Sequence, residues 1–209
     1  MSVLAADAWA TNGDLIADVD RLYPFGDRVL DATYGRGRFW TQVQPNMLVS
    51  NDLNPDLDVD HHYDFRSLPW REGEFPVVVF DPPYKLNGTP SLGDFDDRYG
   101  IGESVRWQDR MKLISDGAVE CGRVASERLL VKCQDQVVSG KVRWQSLMVI
   151  GDLWAAGWEL VDRFDMLGGG RPQPAGRRQV HAHGRPSSLL VFSRIGPLLF
   201  DLTKETTDV

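Results

Sequence analysis

Cysteine, membrane-length apolar runs and surplus positive charge are scarce or missing in this chain, and each shortage removes a class of protein. Cys121 and Cys133 are the only 2 cysteines in 209 residues, too few for a disulfide framework. Both fall in segments that read as buried and regular, so reduced thiols and a cytoplasmic location are expected. No apolar stretch reaches the roughly 20 residues that span a bilayer, and the first residues show no basic-then-apolar leader, so no membrane association is expected. The formal net charge of −7 argues against a protein that coats nucleic acid over its whole surface. Lys and Arg are absent between Pro45 and Phe65, where Asp52, Asp56, Asp58, Asp60 and Asp64 occur. His61 and His62 lie in that acidic run, but adjacent strand residues face opposite ways, so no metal site is expected.

What is present fits one globular α/β domain over residues 1–200, followed by a polar tail at 201–209. Thr11 stands three residues before Asp14, the spacing of a capping box, and Leu15, Ile16, Val19 and Leu22 then recur on one helical face. Strands are expected at 28–33, 47–52, 62–69, 77–80, 128–133, 159–166 and 187–193. Helical spacing is expected from Trp107 to Val119. A second long helix, interrupted at Gly151, is expected to carry Trp144, Leu147, Met148, Trp154, Ala155 and Trp158, with its aromatics in the core. The last two strands have no helical pattern between them and should form an antiparallel hairpin.

The most informative stretch is Asp81-Pro82-Pro83-Tyr84, directly after the apolar run Val77-Val78-Val79-Phe80. The run reads as a buried strand, and two prolines stop it because neither has an N–H and both have a locked φ. They leave a stiff extended corner with one carboxylate, bare carbonyls and one aromatic face. Such a corner suits a planar exocyclic amine, offering acceptors for its two hydrogens and a ring on which its base can stack. Upstream, Asp31-x-x-x-Gly35-x-Gly37 is expected at a strand-to-helix turn after the first strand, where glycine lets a ligand approach the backbone closely. Asp52 ends the second strand, where nucleotide-type α/β folds place a carboxylate on ribose hydroxyls. The segment 85–109 is long, glycine-rich and acidic, and reads as a lid or target loop. The segment 167–187 contains Arg171, Arg177, Arg178, His181, His183 and Arg185 and no acid, a local positive patch suited to phosphates.

In this order, the motifs resemble those of small S-adenosylmethionine-dependent, adenine-specific (N6) DNA methyltransferases of bacteria and their phages. The resemblance implies a Rossmann-like class I methyltransferase fold, mostly parallel with a C-terminal antiparallel hairpin. It implies S-adenosylmethionine as cofactor and S-adenosylhomocysteine as product. Asp31 would face the cofactor's amino group, and Gly35 and Gly37 would pass beneath it. Thr33 stands where the family usually has an aromatic residue. Asp64 would reach the cofactor adenine's amine and Phe65 its face. Asp81, Pro82, Pro83 and Tyr84 would form the catalytic corner, acting on a base flipped out of the duplex. Lys85, Arg171, Arg177, Arg178, His181 and Arg185 would hold double-stranded DNA. Lys132 and Asp135, at the exit of a later strand, are candidates to line the same site. Sequence specificity would be short and relaxed, or supplied by a homodimer mate or a partner, as in restriction–modification. The same signature also occurs in enzymes acting on cytosine N4, on RNA bases or on protein glutamine. A catalytically silent nucleic-acid-binding subunit and a generic nucleotide-binding domain are further readings of the same residues.

Overall fold

The structure is a computed structural model that describes residues 9–86, 106–166 and 186–196. Its elements in chain order are α1 (Asn12–Leu22), β1 (Arg28–Asp31), β2 (Met47–Ser50), β3 (Phe75–Phe80), α2 (Trp107–Val124), β4 (Ala125–Gln134), β5 (Gln136–Val138), β6 (Lys141–Arg143), α3 (Gln145–Ala155), β7 (Trp158–Met166) and β8 (Ser187–Arg194). Six strands form one sheet in the order β2-β1-β3-β4-β8-β7, and β5 and β6 form a separate small hairpin. The pairs β1–β2, β1–β3 and β3–β4 are parallel, whereas β8 runs antiparallel to both β4 and β7. The sheet is therefore mostly parallel with an antiparallel C-terminal pair, as the sequence led us to expect.

Alternation along the strands divides the core in two. Val77 and Val79 face α1, where they meet Leu15, Ile16 and Val19 with Leu130, Leu189 and Val191. Val78 and Phe80 face α2 and α3, packing with Ile114, Ala118, Val149, Leu153, Leu129, Leu190 and Phe192. The helix α1 starts where its capping box places it: Asp14 N–H donates to Thr11 Oγ1, and Thr11 N–H donates to Asp14 Oδ2. Gly117 lets α2 sit close to the sheet, because a Cβ there would lie 2.6 Å from the Phe65 ring and 2.7 Å from the Phe80 ring. Alanine gains about 1 kcal/mol of helix propensity over glycine, but overpacking two enclosed rings costs about 1–3 kcal/mol. Gly117→Ala is thus expected to be net destabilising, by on the order of 1 kcal/mol in chemical denaturation.

Several expectations are corrected. Residues 62–69 form no strand; the isolated bridge Asn51–His61 joins the residue after β2 to the residue before this segment, and Tyr63 is held by the side chain of Asn51. Asp60 takes the Ser50 N–H with its carboxylate, and Asp64 closes turns through the Arg66 and Ser67 N–H groups, so the backbone there is spent locally. The glycine turn after β1 does not lead into a helix. Gly37 N–H donates to the Tyr34 carbonyl and Trp40 N–H to the Gly37 carbonyl, giving successive tight turns. The helix α3 passes through Gly151 without interruption, and Trp158 opens β7 instead of belonging to the helix. Finally, Trp158 is 1% exposed and core, but Trp144 and Trp154 are 48% and 62% exposed. The segment 85–109 also ends earlier than expected, since α2 begins at Trp107; residues 87–105 of it lie outside the described residues. Among the described residues, no helix is long and apolar enough to cross a membrane.

Candidate active site

The parallel strands deliver three aspartates to one end of the sheet. The chain leaves β1 to form β2 on one side and returns to form β3 on the other. Such a reversal opens a crevice beyond the carboxyl ends of β1 and β3, where open α/β sheets bind ligands. Asp31 ends β1, Asp52 lies two residues past β2, and Asp81 follows β3. The register pairs Asp31 with Ser50 on one side and with Val79 on the other, which sets the three acids side by side.

Asp31 is 3% exposed and accepts from the Thr33 N–H (3.0 Å) and the Trp40 Nε1–H (2.7 Å). Burial pushes its carboxyl up to about 7; these two hydrogen bonds oppose the rise, and the nearby Asp81 and Asp52 add to it. Asp52, 2% exposed, accepts from Gly35 N–H at 2.9 Å and Asn54 N–H at 3.0 Å. Burial raises its pKa, against the pull of those same bonds. Gly35 and Gly37 have φ of +57° and +68°, a backbone region where a side chain is strained. Asn51 fixes the same region, its amide donating to the Ala32 and Tyr63 carbonyls and its oxygen accepting the Tyr63 N–H.

The Asp81 corner is tied to the glycine turn. Asp81 N–H donates to Thr33 Oγ1 at 2.7 Å, which gives this threonine a structural purpose. Thr33→Val removes the acceptor while keeping the shape, and is expected to cost about 1–3 kcal/mol. Chemical denaturation checks this, with Thr33→Ser expected to recover most of the loss. Asp81 Oδ1 is buried and has no hydrogen-bond partner among the described residues. Burial raises the Asp81 pKa and the charge of Lys132 opposes that rise. The Tyr84 carbonyl is held by the side-chain amides of Gln136 and Gln145, and Gln136 Oε1 accepts the Leu86 N–H at 3.0 Å. The phenol of Tyr84 is pushed up to about 12 by burial and by the charge of Asp81, and it hydrogen-bonds Ser187. Its ring is half-buried against the α2–α3 side of the core.

Other expected residues fall elsewhere. Asp64 is engaged by Arg66, whose guanidinium reaches both carboxylate oxygens and holds the Asp64 pKa down. Phe65 is 5% exposed and packs edge-on against Phe80 at 5.1 Å, a core position. Asp135 accepts from the N–H and hydroxyl of Ser146 at the start of α3, and lines a groove with Trp144, Leu147, Arg163 and Pro186. Lys85 is exposed one residue beyond Tyr84. Arg171, Arg177, Arg178, His181 and Arg185 lie outside the described residues. The residues that the sequence did not disclose are Trp40, Asn51, Gln136 and Gln145. Gln136, just past the exit of β4, and Gln145, at the start of α3, share an acceptor that lies 52 and 61 residues away in sequence.

No protein-family model matches the sequence, and no curated protein matches it by sequence. Solved structures do resemble it in shape. The 1,6-didemethyltoxoflavin N1-methyltransferase of Burkholderia thailandensis, with S-adenosylhomocysteine bound, aligns with a TM-score of 0.51 and 12% identity, over 90% of this chain and 79% of that one. The magnesium protoporphyrin IX methyltransferase of Synechocystis PCC 6803, also with S-adenosylhomocysteine, gives 0.54 and 10%, over 88% and 81%. A [4+2]-cyclase gives 0.51 and 14%, over 87% and 80%. These likenesses show a Rossmann-like class I methyltransferase fold, and the cyclase among them illustrates that the fold alone does not fix the chemistry.

Proposed function

We propose that the chain transfers a methyl group from S-adenosylmethionine to the N6 amine of adenine in DNA, acting on a base flipped from the duplex. One observation carries the reading: a buried carboxylate oxygen of Asp81, without a partner among the described residues, sits in a stiff Asp-Pro-Pro-Tyr corner at the sheet's ligand-binding end. A polar atom so placed costs stability unless a ligand satisfies it.

The residues around Asp31 fit the cofactor. A carboxylate buried among other acids lacks a counter-charge, and a ligand ammonium supplies one. Asp31 would hold that amine, Asp52 the ribose hydroxyls, and the turn at Gly35 and Gly37 would admit the ligand against backbone. Bound there, S-adenosylmethionine supplies an electrophilic methyl group. The protein's own part is acceptance and orientation. An aromatic amine is a weak nucleophile because its lone pair is delocalised into the ring. Asp81 and the Pro82 carbonyl accept hydrogen bonds from it, draw the nitrogen toward tetrahedral geometry and free its lone pair for the methyl group, and Asp81 takes the proton that the methylated nitrogen then sheds. The fixed corner aims that lone pair, which is worth much of the rate. Tyr84 offers its ring to the displaced base, while Lys85 and the basic stretch 167–187 hold the phosphates.

The test is transfer of labelled methyl to unmethylated duplex DNA, to RNA and to total protein in parallel reactions. Label entering DNA alone is the expected result. Label entering only RNA or protein moves the same corner to another amine, and absence of cofactor binding removes the enzyme reading altogether.

A further inference from the structure

We propose that Lys132 is a positioning residue for this reaction: from the neighbouring strand it supplies the counter-charge of the Asp81 carboxylate and leaves the oxygen that receives the substrate amine uncapped. The inference rests on the proposed function for its purpose, but the coupling of the two groups is measurable without it.

The sheet brings the pair together. Phe80 pairs with Val131 in the β3–β4 register, so Asp81 and Lys132 are next in line. Val79 and Leu130 both point to the α1 side, and two residues further on Asp81 and Lys132 point the same way. Lys132 is 3% exposed, a burial that lysine tolerates rarely and only with a partner. Its Nζ donates to Asn12 Oδ1 at the first position of α1, and lies 5.3 Å from the centre of the Phe39 ring. The capping box of Thr11 and Asp14 fixes that end of α1, so the ammonium is held from behind.

The amide of Asn12 is neutral and does not balance the charge of Lys132. Among the described residues the ion pairs in contact do not include one between Lys132 and Asp81, and Asp81 Oδ1 remains without a hydrogen-bond partner. The hydrogen bond of Lys132 Nζ goes to Asn12 instead. The other titratable groups facing Asp81 are Asp31 from β1, Tyr84 beyond the prolines and Cys133 from β4. Each is neutral or negative, which leaves Lys132 as the cation acting on Asp81 among the described residues. Its charge favours the ionised, accepting form against the burial and the acids that oppose it.

The test uses Lys132→Met, which fills the same buried space without charge, and Lys132→Arg, which keeps the charge. Carbon-13 resonances of labelled aspartate give the Asp81 midpoint, assigned by its loss in Asp81→Asn. In Lys132→Met the midpoint is expected to rise by about one pH unit or more. Single-turnover transfer near neutral pH is expected to fall about tenfold and to recover as the pH is raised, with cofactor affinity held within about threefold. Lys132→Arg is expected to retain the wild-type profile. Should Lys132→Met not fold, the reciprocal measurement decides: Asp81→Asn is expected to lower the Lys132 midpoint, read from the lysine Cε resonance. An Asp81 midpoint unmoved by Lys132→Met, a loss of rate equal at all pH values, or a Lys132 midpoint unmoved by Asp81→Asn overturns the inference. Coupling present in a protein that methylates no DNA overturns the proposed substrate instead.

Discussion

Asp81→Ala is expected to lower methyl transfer by about 10³-fold or more, with cofactor affinity unchanged within about threefold. Removing one preorganised polar group from a reacting centre typically costs about 10²–10³-fold in rate. Here the carboxylate also accepts the hydrogen bond that draws the amine nitrogen toward tetrahedral geometry and frees its lone pair. The separation of rate from affinity follows from geometry. The link between Asp81 and the glycine turn runs through the backbone N–H of Asp81 to Thr33 Oγ1, and survives any side-chain substitution. Asp31 and Asp52 keep their own partners in the turn. Asp81→Asn tests the charge alone, since it preserves shape but presents an amide donor to an amine donor. It is expected to be nearly as inactive, and to change thermal stability little near pH 8, because relief of the buried carboxylate is offset by loss of the counter-charge of Lys132. Single-turnover kinetics, calorimetric titration of the cofactor and thermal unfolding together check these outcomes.

Asp31→Asn is expected to abolish measurable cofactor binding while flattening the pH dependence of stability. The Asp31 carboxyl rises from its ordinary 3.8 to about 7 in the folded protein. Between those values the folded state keeps a proton that the unfolded state has released. The contribution of Asp31 to stability is therefore greatest below about 4, is lost progressively as pH rises to about 7, and stays constant above that. The rise corresponds to on the order of 4 kcal/mol across the window. Asp52 and Asp81 are shifted the same way, and Asp60, Asp64, Glu74 and Glu120 the opposite way, so the wild-type curve alone does not isolate Asp31. The difference between wild type and Asp31→Asn does. That difference is expected to favour wild type at pH 4 and to shift toward the variant by pH 8 in denaturant titrations. A difference independent of pH would mean that Asp31 is not a buried acid awaiting a cation.

Much of the site was legible because its signals are local. Four apolar residues ended by two prolines can be little else than a buried strand meeting a corner, and β3 with Asp81 is that. Thr11 and Asp14 specify the start of α1 within four residues of chain. Asp31 with Gly35 and Gly37 marked a turn whose positive φ values only glycine carries easily. What failed depended on side-chain partners and coverage that composition and periodicity do not encode. His62 to Pro69 has strand-like composition, but Asp60 and Asp64 compete for the backbone with their carboxylates. Trp144 and Trp154 follow helical spacing, yet periodicity does not tell whether a face is covered, and theirs is exposed. Phe65 beside Asp64 looked like a ligand pair; the glycine at 117 draws its ring into the core, a contact 52 residues away in sequence. Lys132 stands at a strand exit in the sequence, but its relation to Asp81 and Asn12 exists only once β4, β3 and α1 are assembled.

The most direct measurement is nucleoside mass spectrometry of unmethylated duplex DNA incubated with S-adenosylmethionine and either wild-type protein or Asp81→Ala. The expected result is N6-methyladenine from wild type and none above background from the variant. N6-methyladenine formed equally by both would contradict the assignment of Asp81, and a methylated cytosine in its place would contradict adenine as the target.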